Sequence, residues 1–216
     1  MTLTFYLLLG YLCGSILFAY YLPLWLRRID ITEDARDRNP GVSNCVAKAG
    51  WAIGMTALVL DLLKGALPVF FAHRALDSGK WTFALVMAAP VLGHIFPIFR
   101  KFAGGKGIAA AFGVTIGLFP IITPFVLLAV LYLFFLLIVR VRPNRRLSVV
   151  TFTSFGVLSL VLVRYGLVAF GCALIAALVA LRHILSPERA ETVERARDGA
   201  ASDDAVSEEN SKGILN

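Results

Sequence analysis

Charge is scarce in this chain. Only 16% of its 216 residues are Asp, Glu, Lys or Arg, against about 25% in an ordinary soluble domain. Cysteine is scarcer still. Cys13, Cys45 and Cys172 are scattered, which excludes a disulfide scaffold. The histidines, His73, His94 and His183, lie in separate segments with no carboxylate cluster beside them, so no metal site is expected. No hydroxyl residue follows Gly105-Lys106, because Gly107 does. The Walker A spacing is therefore absent, and with it the case for nucleotide binding. A basic n-region is also missing ahead of the first apolar run, which is too long for a signal-peptide core.

What fills the chain is apolar. Hydrophobic residues make up 58% of it and the mean hydropathy is +0.78, which excludes disorder over most of its length. Lipid is the solvent such a composition suits. Apolar runs cover 2–26, 51–72, 81–99, 108–119, 121–139, 147–163 and 167–181. A spanning helix needs about 20 apolar residues. Pro120 and Pro124 divide the long stretch 108–139, since proline removes a backbone donor where a helix would continue. Its first part, rich in Gly and Ala, reads as a short buried or re-entrant helix. The fold expected is all-α, a polytopic membrane protein of about seven transmembrane helices.

The charges agree with seven. The first, third and fifth connections hold twelve Lys and Arg, and the second, fourth and sixth hold three. Cytoplasmic loops carry that excess. The N-terminus is thus expected outside and the C-terminus in the cytoplasm. The net charge of +7 belongs to loops facing an anionic leaflet, not to a nucleic-acid surface. From Pro187 onward the chain turns polar and acidic. Residues 1–186 read as a membrane domain, and 187–216 as a solvated, disordered tail with a short helix around 188–197.

Three stretches on the inward side carry chemistry. The first loop reads Arg36-Asp37-Arg38-Asn39-Pro40-Gly41-Val42-Ser43-Asn44. Its turn residues, amides, hydroxyl and arginines suit a polyol or a phosphate, or a plain polar turn. Asp61 and Lys64, with Gly65, fall three apart on one helical face inside a span. Ionisable groups there are expensive. They either form a self-satisfied pair that fixes packing or face an anionic ligand. The third stretch is Gly93-His94-Ile95-Phe96-Pro97-Ile98-Phe99 followed by Gly104-Gly105-Lys106-Gly107. Glycines let backbone N–H groups approach an anion, Lys106 adds charge, and a helix N-terminus follows. Weaker signals are Arg145, Arg146 and Ser148 at the start of the sixth run, and Arg182-His183 at the end of the last. Each serves equally as an interfacial anchor. Gly14-Ser15 suits helix packing.

Together these residues resemble the bacterial membrane acyl-phosphate:glycerol-3-phosphate acyltransferases, the PlsY family, over about residues 5–186. Gly93-His94-x-Phe96-Pro97-x-Phe99 with Phe102-x-Gly104-Gly105-Lys106-Gly107-Ile108-Ala109 carries most of the likeness. Leu60-Asp61-x-x-Lys64-Gly65, Gly14-Ser15-Ile16, Asn39-x-Gly41-x-Ser43-Asn44, Arg145-x-x-Ser148-Val149 and Arg182-His183 are similar to further family segments. The resemblance implies a seven-helix enzyme of the bacterial inner membrane, monomeric and without metal or organic cofactor. It would move an acyl group from acyl-phosphate to the 1-hydroxyl of sn-glycerol 3-phosphate, giving lysophosphatidic acid and phosphate. Catalytic roles fall to His183, Ser43, Asn44 and Lys106. Substrate and phosphate contacts fall to Arg38, Asn39, Gly41, Asp61, Lys64, His94, Gly104, Gly105, Gly107, Arg145 and Ser148. The His-x4-Asp dyad of other glycerolipid acyltransferases is absent.

The chain also departs from that pattern. Asp37-Arg38-Asn39-Pro40 stands for Ser-Gly-Asn-Ile, Val42 for Ala, Ala103 for Lys, Ala110 for Thr and Ser186 for Asn. Arg38 either strengthens phosphate binding or fills the pocket itself. The alternatives to an enzyme are a transporter or binding protein for a phosphorylated metabolite or lipid, and a catalytically altered paralogue. No inverted repeat favours the transporter.

Overall fold

The structure, a computed structural model, describes residues 2–33, 35 and 37–186. Arg36 and the whole expected tail, with its helix around 188–197, lie outside the described residues.

Helices account for the architecture: α1 Leu3–Ser15, α2 Phe18–Arg27, α3 Val42–Ala49, α4 Trp51–Ala75, α5 Trp81–Ile95, α6 Ile108–Gly117, α7 Thr123–Leu133, α8 Asn144–Leu162 and α9 Gly166–Leu185. A 3-10 turn, Ile98–Arg100, follows α5, and a π turn, Phe134–Ile138, prolongs α7. Among the described residues, four helices are long and apolar enough to cross a membrane, or five if α1 and α2 form one bent span. Helix α6 has 10 residues, about 15 Å of rise, half of a hydrocarbon core about 30 Å thick.

One expectation changes here. Residues 2–26 read as a single span, yet the helix breaks after Ser15 and resumes at Phe18 with a 46° bend. The break follows directly on the Gly14-Ser15 pair, a kind of pair at which helices kink, and lies well before Pro23. Its unpaired backbone groups are met from α4. Lys64 Nζ donates to Ile16 O at 2.6 Å, and Asp61 Oδ1 accepts from Phe18 N at 3.3 Å. A broken helix leaves carbonyls on one side and N–H groups on the other, and an ion pair offers one partner for each.

Helix α5 is the most enclosed of the long helices, packing against α1, α9, α4 and α6. Glycine makes the closest crossings. A Cβ on Gly14 would strike Pro90 O, and one on Gly93 would strike Tyr11 O, so α1 and α5 meet backbone to backbone. Helices α4 and α6 do the same, with Gly113 against Leu62 O and Gly117 against Ala66 O. In lipid, where apolar burial drives no association between helices, such contact is what holds them. The outcome for function is a short helix, α6, fixed with its N-terminus beside the ends of α5 and α9.

Candidate functional site

The glycine-rich loop 103–107 is built around the end of α5. Phe102 N donates to Pro97 O, Ala103 N to Arg100 O, and Gly105 N to His94 O. Gly104 packs so tightly that a Cβ there would lie under 3.0 Å from His94 O, Ile95 O and Pro97 Cδ. Gly107 takes φ +84°, the left-handed region that favours glycine, as it opens α6. From α9, Arg182 reaches across. Its Nη2 donates to Gly104 O at 3.1 Å and its Nε to Gly105 O at 3.3 Å. With those carbonyls held, the N–H groups of Gly104, Lys106 and Gly107 find no acceptor among the described residues. Gly105, expected from sequence to contact phosphate, has its N–H already committed to His94 O.

The first loop closes over this one. Asp37 Oδ1 accepts from Asn39 N at 3.1 Å and from Asn44 Nδ2 at 3.0 Å. Asn44 Nδ2 also donates to Asn39 O at 2.8 Å. Asp37 Oδ2 meets Lys106 Nζ at 2.8 Å. Partial burial of Asp37 disfavours its charge, but the hydrogen bonds from Lys106 and Asn44, the Lys106 charge and the Asn39 N–H together outweigh that. Its carboxyl is held below the ordinary value of 3.8, so the contact with Lys106 is intact at neutral pH and is lost only as pH falls through that lowered value. A second tie joins the loops farther out. Arg100 lies over the Tyr20 ring at 4.2 Å and donates to Thr32 Oγ1, while Tyr20 OH and Thr32 both donate to Asp30.

The result is a small polar cleft of about 60 Å³, lined by Asp37, Arg38, Asn39, Gly104, Lys106, Arg182 and Ser186. Among the described residues, three cations face one carboxylate there. A preorganised positive cleft with free backbone N–H groups at a helix N-terminus is fitted to an anion such as phosphate.

Four residues selected from sequence line this cleft: Arg38, Asn39, Gly104 and Lys106. Gly105 and Gly107 complete its loop, and Asn44 acts through Asp37. Gly41 caps α3, where a Cβ would strike the Asn39 side chain. The others lie outside the cleft lining. Ser43 is exposed on α3. Asp61 and Lys64 are paired at 2.7 Å and buried at the α1–α2 break, which favours their packing role. His94 is buried beneath Gly105. Ser148 is buried and donates to Asn144 O on its own helix. Arg145 donates to Ile184 O at 2.6 Å, which clasps the end of α9. His183 is buried with Nδ1 2.9 Å from Val179 O. A carbonyl only accepts, so Nδ1 carries the proton and Nε2 is left with the lone pair. Sequence reasoning did not select Asp37, Arg182 and Ser186 as site residues. For Arg182 the available signal was its place beside His183 at a helix end.

A second cavity, an apolar groove of about 510 Å³, runs between α4, α6 and the start of α7, with Leu63, Leu67, Phe70, Ile116 and Phe125 in its walls.

A protein-family profile described as "Glycerol-3-phosphate acyltransferase" matches residues 4–191. Curated proteins named glycerol-3-phosphate acyltransferase are similar. One from Myxococcus xanthus is 45% identical over 52% of this chain and 58% of its own length. One from Thermotoga petrophila is 44% identical over 50% of this chain and 54% of its own. The matched region thus spans a little over half the length of these relatives. Among solved structures, the glycerol 3-phosphate form of PlsY, an integral membrane glycerol 3-phosphate acyltransferase, superposes with a TM-score of 0.73 at 28% identity. That match covers 91% of this chain and 92% of the other. The lysophosphatidic acid form of the same protein gives 0.72.

Proposed function

Because the chain belongs to the glycerol-3-phosphate acyltransferase family, we propose that it transfers a fatty acyl group from acyl-phosphate to the 1-hydroxyl of glycerol 3-phosphate. The observation that carries this reading is the convergence of Lys106, Arg38 and Arg182 with the Gly104 loop on one polar cleft. Both substrates bear phosphate, and that cleft is built for an anion.

In the reaction, the acceptor oxygen attacks the acyl carbonyl carbon and the bond from that carbon to the phosphate oxygen breaks. Phosphate leaves and takes up the hydroxyl proton. The donor is already activated, so positioning and charge stabilisation do most of what catalysis requires. Lys106 and the free loop amides hold phosphate, and Arg182 keeps the loop in shape. Asn39 orients the acceptor, and His183 Nε2 offers a hydrogen-bond acceptor behind the cleft. The apolar groove suits the acyl chain. It begins at Leu63, next to the Lys64 level, and α6 leads from the glycine loop to its far wall at Ile116, about 13 Å of helical rise.

We also read α6 and α7 as the two shorter members of a seven-helix set, with the N-terminus outside and 187–216 as a cytoplasmic tail. The excess of Lys and Arg in alternate connections supports this orientation in a bacterial inner membrane.

The test supplies purified protein with acyl-phosphate and glycerol 3-phosphate and follows phosphate and lysophosphatidic acid together. Equal release of both is expected, with none when acyl-CoA replaces acyl-phosphate. Activity with acyl-CoA alone would overturn the donor.

A loop variant adds a sharper expectation. Gly104→Ala forces the loop off two backbone carbonyls that cannot yield cheaply. A displacement near 1 Å costs about 10²-fold in rate, so kcat should fall by about that much. Gly166→Ala, where nothing lies within 4 Å of the added Cβ, should leave kcat unchanged. Equal kcat values for the two variants would show that the loop tolerates the shift.

A further inference from the structure

Three successive carbonyls of the glycine loop are held by arginines. Arg182 takes two of them, Gly104 O through Nη2 and Gly105 O through Nε. The third, Ala103 O, accepts from Arg100 Nη1 at 2.6 Å. The same guanidinium has two further contacts. Its Nη2 donates to Thr32 Oγ1 at 3.3 Å, and it lies over the Tyr20 ring at 4.2 Å. One half-buried side chain thus grips the glycine loop with one nitrogen and the first loop with another.

The backbone is bent to allow this. Lys101 takes φ +49° and Phe102 φ +62°. That left-handed region is costly for a residue with a Cβ, and such residues persist only where their surroundings hold them. Here two in a row turn the chain back on itself. Ala103 N donates to Arg100 O, and Arg100 Nη1 reaches Ala103 O.

In a planar trans peptide the carbonyl of one residue and the N–H of the next point to opposite sides. Holding a carbonyl therefore sets the direction of the N–H that follows. Arg182 on Gly104 O aims Gly105 N–H, which goes to His94 O. Arg182 on Gly105 O aims Lys106 N–H, and Arg100 on Ala103 O aims Gly104 N–H. Those last two N–H groups find no acceptor among the described residues.

We propose that Arg100 is a positioning residue, which aims the Gly104 N–H at phosphate through the peptide unit it holds. This rests on the reading of the cleft as a phosphate site. Arg100 itself lies outside the cleft lining, whereas Gly104 is part of it. Without Arg100 the peptide between exposed Ala103 and Gly104 is able to turn its carbonyl toward the cleft. An oxygen there repels the anion that the N–H would bind. Arginine suits the task because its planar fork serves two acceptors at once and stacks on an aromatic ring, which an ammonium does not.

The experiment reads that N–H directly. Ala49-Gly50 and Ala103-Gly104 are the Ala-Gly steps of the chain. Protein isotope-labelled at the alanine carbonyl carbon and the glycine nitrogen therefore gives one filtered amide signal for each step in detergent, and Ala103→Ser identifies that of Gly104 by its loss. Glycerol 3-phosphate should move the Gly104 signal in the parent. In Arg100→Met, which keeps the stem and removes the donors, the movement at saturation should shrink to about half or less. The kcat/KM for acyl transfer should fall about tenfold, the effect of one hydrogen bond, with the melting temperature within a few degrees. Arg100→Lys keeps one donor for Ala103 O without the fork. It should fall between the two, and it stands in if the Met variant does not fold. Thr32→Val removes the hydroxyl on the first loop, leaves Ala103 O held, and should keep the parent's Gly104 movement. A Gly104 signal that moves as far in the Arg100 variants as in the parent would overturn the aiming role and leave the phosphate site standing. A signal that stays still in the parent would overturn the phosphate site as well.

Discussion

Lys106→Ala is expected to lower kcat/KM for acyl transfer by about 10²–10³-fold, the range seen when a single preorganised charge-stabilising group is removed. It should do so without unfolding the protein. Among the described residues Lys106 Nζ has one partner, Asp37, and the pair is partly exposed, with side-chain exposures of 18% and 26%. Ion pairs of that kind contribute about 0.2–1 kcal/mol to stability. The loop's shape does not depend on the side chain, since it is held by Gly105 N on His94 O and by Arg182 on two carbonyls. Activity and melting temperature should therefore separate: a large fall in the first and a shift of a few degrees at most in the second. Activity within tenfold of the parent would remove Lys106 from the site. A melt that collapses with activity would make it a structural residue.

The contrast between what was legible and what was not follows the range of each interaction. The glycine-lysine loop was readable because its chemistry is local: four consecutive residues and the helix they open. The apolar runs were readable because each is a property of a single segment. Arg182 was not selected because a cation at a helix end has the same sequence signature whether it snorkels to an interface or clasps carbonyls 77 residues away. Asp37 was seen only as one polar residue of a turn. Its partner, Lys106, is 69 residues distant, and nothing in the turn announces it. The break after Ser15 was invisible for the same reason. Gly14-Ser15 reads as a packing pair as readily as a kink site, residues 16–19 are the apolar run Ile, Leu, Phe and Ala, and the partners that stabilise the interruption come from α4. Asp61 and Lys64 were rightly marked as costly in a span. Their spacing gave the pair, but not whether a ligand or a backbone break completed it.

Breaking that buried pair should have the largest effect on stability. Lys64→Met would strand the Asp61 carboxylate, which is 1% exposed, with only backbone N–H groups of α2 for company. Asp61→Leu would strand the ammonium on Ile16 O. Removing one member of a buried ion pair costs about 3–5 kcal/mol, and lipid offers no water to soften it. The double variant Asp61→Leu/Lys64→Met removes both charges and should recover part of that loss. It should not recover all, because Ile16 O and Phe18 N then go unpaired at the break, at about 1–3 kcal/mol for each buried group. Asp61→Asn/Lys64→Gln keeps an acceptor and a donor without charge and should come closest to the parent. Unfolding in detergent, analysed as a double-mutant cycle, reads the order. If the Leu/Met double variant matches the parent, the pair does not brace the break. The consequence for function runs through the same geometry. Tyr11 and Ser15 of α1 and Tyr21 of α2 hydrogen-bond Phe96 O, Ile98 N and Phe99 O, the turn that leads into the glycine loop. A bend that relaxes would carry that turn with it, so the two single variants should lose kcat even at temperatures where they remain folded.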